Sequence, residues 1–309
     1  MNPAAAGERA APLRLALVVS FLNEERYLPT FLASIAAQTR PPDELLLVDD
    51  GSTDDSVAIA EAFAAEHAFA RALRRPRRPP ERDRLAKAAV VASFHWGVEQ
   101  LEREPDVVAK MDADLDLTPT LLAAVERELA ADPGLGVVGS YLCVEDERGE
   151  RRREYNPVTH VRGPNKFYRW SCFQDIRPLV PHLGWDTVDE IKARMHGWRS
   201  RSLELPEGDP LHLRPTGLHD GRLRAYRRWG MCAWCFGQYP AIVLAGGLTR
   251  IGEKPYVLGG LNYVAGWALA GLRRAPRVDA DVRAFVRDEK LREARAHLRR
   301  PSRALLRRT

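Results

Sequence analysis

Cysteine is scarce in this chain: Cys143, Cys172, Cys232 and Cys235 are the only four in 309 residues. Cys232 and Cys235 form a lone Cys-x-x-Cys, and without a second pair there is no structural zinc site. Their neighbours Met231, Ala233, Trp234 and Phe236 are apolar, which makes these thiols small hydrophobic side chains. Such usage fits a reducing, cytoplasmic compartment. Uninterrupted apolar runs of the ~20 residues that cross a bilayer are also missing. The run over 231–248 is broken by Gln238, Pro240 and two adjacent glycines, and the run over 255–272 by several glycines and Asn262. Interfacial or re-entrant helices are expected there, ahead of buried core helices or true spans. Residues 1–12 lack the apolar stretch of a signal peptide and are expected to be a short disordered lead. There is no internal repeat. The basic segments are not interleaved with aromatics in any recognisable nucleic-acid module, so a pI near 9.1 does not call for a nucleic-acid partner.

Apolar residues make up 45% of the chain, enough for a sizeable core. The net charge of +5 is uneven, because 13 Lys and Arg stand against 5 Asp and Glu from Arg273 onwards. A basic tail of this kind suits an anionic membrane surface, a phosphorylated substrate, or plain solvation of a helix rich in arginine.

The apolar run over 13–20 predicts a strand buried on both faces, followed by a loop over 21–25 and a helix that Arg40-Pro41-Pro42 stops. A second strand over 44–48 runs into Asp49-Asp50-Gly51-Ser52-Thr53, and Asp54 or Asp55 opens an alanine-rich helix. Residues 71–84, rich in Arg and Pro, read as an exposed loop before a helix over 85–101. A strand over 107–111 leads to Asp112-Ala113-Asp114-Leu115-Asp116. Thr118 and Pro119 then read as the cap and first residue of a helix, and 136–144 as another strand. Strands alternating with helices predict a doubly wound, mostly parallel α/β sheet with a helical, partly apolar C-terminal extension.

Three polar turns fall at the ends of successive strands, where ligands bind in open parallel sheets. Ser20-Phe21-Leu22-Asn23-Glu24-Glu25 offers an amide and a carboxylate suited to a base or ribose, and also to capping a helix. In Asp49-Asp50-Gly51, a carboxylate can accept from a pyrimidine ring N–H, or simply make an Asx-turn. In Asp112-Ala113-Asp114, alternate carboxylates can hold Mg²⁺ or Mn²⁺, with phosphates completing its shell. A bare Asp-x-Asp is common and weak alone; the ordered company of the other two turns raises it.

That combination resembles the family 2 inverting glycosyltransferases of GT-A fold. "VVSFLNEERYLPTFLASIAAQTRPPDELLLVDDGSTDDS" is similar to the family's N-terminal signature and "VAKMDADLDLTP" to its metal-binding segment. Ser20-Phe21-Leu22 departs from the Pro-Ala-Tyr often found in the family. Later segments, "VRGPNKFYRWSCF", "LGWDTVDEIKARMHGW" and "LHLRPTG", resemble acceptor-side motifs of a bacterial branch. The resemblance implies nucleotide-sugar contacts from Ser20, Phe21, Asn23, Glu24, Asp50, Lys87 (or Arg84), Asp112 and Ala113. It implies Asp50 at the base, Asp112 near ribose and metal, and Asp114 on a Mg²⁺ or Mn²⁺ ion; His212 is a further metal ligand, a diphosphate contact or a structural residue. Arg214 is placed to clamp a phosphate or to lie on the surface.

Inversion by direct displacement needs one carboxylate within hydrogen-bond reach of the acceptor hydroxyl. The family sets it at the start of a helix that ends in Gly and an aromatic, here the helix before Gly197-Trp198. Asp186 is the first candidate, then Asp189 or Glu190, and Trp185 is a sugar-stacking ring or a core aromatic. The domains expected are a donor half over 13–144, an acceptor half over 145–225 and a helical region over 226–309. The expected reaction moves a sugar from a UDP-, GDP- or dTDP-sugar to a saccharide or lipid-linked saccharide, in polysaccharide or glycoconjugate synthesis. The expected location is the cytoplasm or the inner face of the membrane, as a peripheral protein. A sugar-nucleotidyltransferase would need a glycine-rich loop after the first strand, and residues 21–25 contain none. A non-catalytic nucleotide-sugar binder of the same fold stays open.

Overall fold

A computed structural model describes residues 12–76, 88–146, 148–154, 156–182, 184–214, 222–252 and 255–299, with 222 and 293–299 described by their backbone alone. The chain divides into two compact units, 1–216 and 217–309.

The first unit runs β1 (Leu15–Phe21), α1 (Leu28–Ala36), β2 (Glu44–Asp49), α2 (Ser56–Glu66), β3 (Ala70–Arg74), α3 (Ala89–Val98), β4 (Val107–Asp112), β5 (Leu115–Asp116), α4 (Leu121–Ala131), β6 (Leu135–Ser140), β7 (Cys143–Glu145), β8 (Arg151–Arg153), β9 (Asn165–Arg169), α5 (Trp170–Ile176), α6 (Trp185–Met195), β10 (Arg199–Leu203) and β11 (Leu211–His212). A seven-stranded sheet has the order β10-β6-β9-β4-β1-β2-β3. β4, β1, β2 and β3 are parallel, as are β6 and β10, and β9 alone runs antiparallel between β4 and β6.

The sheet is covered on both faces, which is why its central strands read as continuous apolar runs. Along β1 and β2 the side chains alternate between two cores. Leu15, Leu17, Val19, Leu45 and Leu47 pack with Phe31, Ile35 and Leu122 from α1 and α4. Val18, Leu46 and Val48 pack on the other face with Phe94 and Phe173 from α3 and α5. All these side chains are fully buried or nearly so. This arrangement fixes the ends of β1, β2 and β4, and therefore the three polar turns, along one edge. Ser20 of β1 stands in register between Val48 of β2 and Asp112 of β4.

A second sheet, β5-β11-β7-β8, sits beyond that edge. Its antiparallel β5–β11 pairing sets His212 opposite Leu115 and brings residues a hundred positions apart beside the acidic turn.

Three expectations are corrected. Residues 71–74 are not loop but most of β3, paired in parallel with β2 along Leu45 to Asp49. Thr118 does not cap α4, whose cap is Thr120. The Thr118 hydroxyl donates to the Gly208 carbonyl (2.8 Å). The run 136–144 is two strands, β6 and β7, in different sheets.

The second unit holds α7 (Arg222–Cys235), α8 (Pro240–Thr249), a 3-10 turn (Arg250–Gly252), α9 (Val257–Leu272) and α10 (Ala280–Arg299). The helix α7 is continuous across position 225. Among the described residues no helix is long and apolar enough to cross a membrane. All four thiols are free, and all but the half-buried Cys232 are buried.

Candidate active site

The first and second turns are stitched to each other. The Asn23 amide donates to Ser52 Oγ (3.0 Å), and Asn23 Oδ1 accepts from the Thr53 amide (2.8 Å). The Glu24 amide donates to Ser56 Oγ (2.7 Å), whose hydroxyl donates to Asp54 Oδ1 (2.6 Å). Asn23 takes the left-handed conformation (φ 56°), which asparagine tolerates because its short amide bonds locally. Phe21 meets the second turn through its backbone. Its ring is in the core and its carbonyl accepts the Asp50 amide (3.0 Å), so it positions the second turn. Ala113 is also buried, leaving only its backbone to meet a ligand.

Asp49 and Asp50 make different contacts. Asp49 Oδ1 accepts the Ser52 amide (2.8 Å) in an Asx-turn. Asp50 Oδ1 accepts from Arg75 Nη1 (2.8 Å), which also donates to Ser93 (3.1 Å). Arg75 is a site residue the sequence reading missed. It lies one residue past β3, in a stretch taken for exposed loop. Lys87 and Arg84 lie outside the described residues.

The third turn carries the densest charge. Arg214 donates through Nε to Asp114 Oδ2 (3.1 Å) and through Nη2 to Glu24 Oε1, bridging two buried carboxylates. His212 Nε2 lies 3.5 Å from Asp114 Oδ1, and His212 Nδ1 lies 3.7 Å from Glu154 Oε2. Both separations are too long for good hydrogen bonds but close enough for strong charge attraction. Burial alone would lower the His212 pKa; the two carboxylates outweigh it and push the imidazole up to about 9. Burial would raise Asp114, but His212 and Arg214 hold it below the usual carboxylate range. Glu24 is raised, chiefly by burial that Arg214 only partly offsets.

Three buried polar atoms at this edge have no hydrogen-bond partner among the described residues: Ser20 Oγ, Glu24 Oε2 and Asp114 Oδ1. Buried polar groups are ordinarily paired, and each one left over costs about 1–3 kcal/mol. Three on one edge are groups that a ligand could pair. No group of three or more His, Cys, Asp or Glu converges as a ready metal cage among the described residues. Asp114 Oδ1 and His212 Nε2 form a two-donor set, one carboxylate and one imidazole, which fits a divalent ion that takes its remaining ligands from a substrate.

A lysine connects this edge to the base candidates. Lys110, buried in β4, donates to Asp112 Oδ1 and to the Gly163 carbonyl (3.0 Å). A Cβ placed on Gly163 would lie 3.3 Å from Asp186 Oδ2, so Asp112, Lys110, Gly163 and Asp186 are consecutive neighbours. Asp186 is half-buried in the first turn of α6. Asp189 is wholly enclosed: it accepts two bonds from Lys166 Nζ (2.8 and 2.7 Å), one from Tyr168 Oη (2.5 Å) and one from the Glu190 amide (2.7 Å). A carboxylate so closed in cannot reach an acceptor hydroxyl, which corrects the expectation that it competes with Asp186. Glu190 is equally engaged, with His160 Nδ1 (2.8 Å) and the Val161 amide (2.6 Å). The Trp185 ring is buried with Lys110 and Lys166 ammoniums 5.2 and 5.7 Å from its centroid, which favours the core reading over sugar stacking. A single lysine in the apolar run 107–111, at 110, was the available signal for the first of these missed residues; Lys166 stands in Asn-Lys-Phe-Tyr-Arg, which carries no such signal.

The family described as "Glycosyl transferase family 2" matches residues 16–183, more than half of the chain. The chain belongs to this glycosyltransferase family. An undecaprenyl-phosphate mannosyltransferase of Micrococcus luteus is 34% identical over 117 residues, 37% of this chain and 44% of the relative. A PGL/p-HBAD biosynthesis glycosyltransferase of Mycobacterium tuberculosis is 32% identical over 108 residues, 34% and 42% of the two chains. The chain thus spans under half the length of these curated relatives. Among solved structures, the mannosyltransferase PcManGT of Pyrobaculum calidifontis, in complex with GDP-Man and Mn²⁺, aligns with TM-score 0.55 at 19% identity, covering 94% of this chain and 82% of its own. S. aureus TarS 1–349 with UDP-GlcNAc aligns with TM-score 0.51 at 18% identity over 72% and 66%. At such identities the likeness shows the fold, the GT-A arrangement expected of this family.

Proposed function

We propose that this chain transfers a sugar, with inversion, from a nucleoside diphosphate sugar to an acceptor hydroxyl. The observation that carries the reading is the set of unpaired buried atoms of Ser20, Glu24 and Asp114 on one sheet edge, with Asp186 connected to it through Lys110 and Gly163.

In this reading Asp50, held by Arg75, accepts from the donor base, and Asp112, held by Lys110, meets the ribose. Asp114 and His212 are the residues that would hold a divalent ion, which when bound offsets the charge on the departing diphosphate as a Lewis acid. The imidazole in that pair favours Mn²⁺ over Mg²⁺, which prefers oxygen ligands throughout. Arg214 supplies a second positive charge beside Asp114. Asp186 takes the proton of the acceptor hydroxyl as that oxygen attacks the anomeric carbon from the face opposite the leaving diphosphate. Lys166 fixes Asp186 by donating to its backbone carbonyl and so orients the start of α6.

The undecaprenyl-phosphate in the name of one relative supports an acceptor carried on a lipid, and two mannosyltransferases, that relative and one solved structure, put GDP-mannose first among donors to try. The test is release of nucleoside diphosphate from GDP-, UDP- and dTDP-sugars with Mn²⁺, with Mg²⁺ and with EDTA, each with Asp114→Ala alongside. Metal-dependent turnover of one donor, absent in Asp114→Ala, supports transfer. Donor binding without turnover under any acceptor tried turns the reading to a nucleotide-sugar binder. No binding of any donor overturns both.

A further inference from the structure

The two units differ sharply in charge. Residues 217–309 carry 19 Lys and Arg against 7 Asp and Glu, whereas residues 1–216 carry 28 against 35. Between 222 and 277 the only acid is Glu253, among eight arginines and Lys254.

In the second unit glycines sit at the helix contacts, around a core of Tyr226, Val243 and Tyr263. Small residues face inward. A Cβ on Gly230 would lie 1.9 Å from the Tyr263 carbonyl oxygen, one on Gly266 2.1 Å from the Arg227 carbonyl oxygen, and one on Gly260 2.3 Å from the Gly247 carbonyl oxygen. Other large apolar residues stay exposed. On α8, Val243 and Gly247 are buried while Leu244 and Leu248 are exposed, and Ile251 in the next turn continues their stripe at the i, i+4, i+7 spacing of one helix face. The first turns of α9 expose Val257, Leu258 and Leu261, each by half or more. Trp229 and Tyr256, rings with a polar atom at one end, are also about half exposed, and the Arg250 guanidinium lies 6.0 Å from the Trp229 centroid. A contiguous exposed apolar surface marks an interaction site. The positive charge of the unit that carries it opposes a second copy, because like charge would meet like, and favours an anionic partner.

We propose that the α8–α9 edge docks on an anionic lipid surface, its leucines and isoleucine entering the acyl boundary while arginines of the same unit meet the headgroups. No membrane-crossing helix is needed for this. The proposal rests on residues of the second unit alone, so it stands or falls independently of the activity proposed above.

The test is flotation of the full chain with phosphatidylcholine vesicles with and without phosphatidylglycerol, at low and high salt. Leu248→Glu/Leu261→Glu and Arg273→Gln/Arg274→Gln/Arg277→Gln are run beside it. The chain is expected to float with the anionic vesicles at low salt and to be partly released by salt. Leu248→Glu/Leu261→Glu is expected to lose roughly tenfold or more in partitioning with an unchanged thermal melt, since both positions are exposed. The arginine variant is expected to lose mainly the salt-sensitive part. Soluble-donor hydrolysis by the same samples should not change. A chain that stays unbound with anionic vesicles, or a leucine variant that binds as before, overturns the proposal. So does a lipid-free dimer that the leucine variant splits, which would give this edge to a second copy.

Discussion

Exchanging Asp189 and Asp186 for asparagine, one at a time, separates two carboxylates three residues apart by opposite outcomes. The Asp189 side chain and that of Lys166 have zero exposure, and Asp189 accepts four hydrogen bonds, from Lys166 Nζ, Tyr168 Oη and the Glu190 amide. In Asp189→Asn one acceptor oxygen is replaced by an amide that faces donors, and Lys166 keeps Glu190 at 3.3 Å as its nearest remaining side-chain carboxylate partner. Removing one member of a buried pair costs about 3–5 kcal/mol, because the surviving charge stays in low dielectric. For a unit of this size that is a fall in melting temperature of roughly 6–20 °C. Asp186 is half-buried, and its anchoring contact with Lys166 is made by its backbone carbonyl, which the substitution leaves in place. Asp186→Asn should therefore melt within about 0.5 kcal/mol of the parent, as surface changes do. It should lose about 10²–10⁴ in kcat, as removal of a general base does, with donor binding retained.

Urea and thermal unfolding followed by circular dichroism and tryptophan fluorescence give the first quantity, and diphosphate release with acceptor gives the second. If Asp189→Asn folds as stably as the parent yet loses turnover, while Asp186→Asn stays active, the assignment of the base is wrong. Equal destabilisation by both would mean that Asp186 is a structural cap.

The order of the three turns was legible because each follows an apolar strand buried on both faces, and such strands announce themselves as unbroken runs. β3 was not. Ala70–Arg74 carries two arginines and lies at the sheet edge, so it owes its conformation to pairing with β2 rather than to its own pattern. The break between β6 and β7 has no Gly, Pro or Asn to mark it, since Tyr141 and Leu142 carry the chain from one sheet to the other while staying buried. In the site, Asp112 and Asp114 could be read locally. The approach of His212 and Arg214 depends on the β5–β11 pairing, a contact across about a hundred residues that no window contains. Choosing between Asp186 and Asp189 needed burial: on a helix they are neighbours on similar faces, and only the presence of Lys166 and Tyr168 beneath Asp189 tells them apart.

Three more outcomes follow from the geometry. Arg75→Gln should weaken nucleotide binding about tenfold by calorimetry, because Asp50 loses the guanidinium that orients it; a lower melting temperature with unchanged affinity would make the pair purely structural. Gly230→Ala should cost about 1–3 kcal/mol or more, since the new methyl meets backbone that cannot swing aside, whereas Gly252→Ala, with nothing within 4 Å, should be close to neutral; equal melts of the two would refute the close α7–α9 packing. The last concerns acid. His95 Nε2 accepts the Leu179 amide (2.9 Å), so the folded protein needs this imidazole neutral. Burial first, and the Arg177 charge second, hold its pKa below 6.5. An unfolded chain therefore binds this proton at higher pH than the folded one. The contribution is whole above 6.5 and is lost as pH falls below it, until the folded imidazole itself titrates. Urea midpoints at about pH 7.5 and about pH 5 should fall further for the parent than for His95→Gln, which keeps an acceptor but takes no proton. Because carboxylates add the same slope to both proteins, the difference isolates His95, and identical slopes would show that its imidazole titrates alike folded and unfolded.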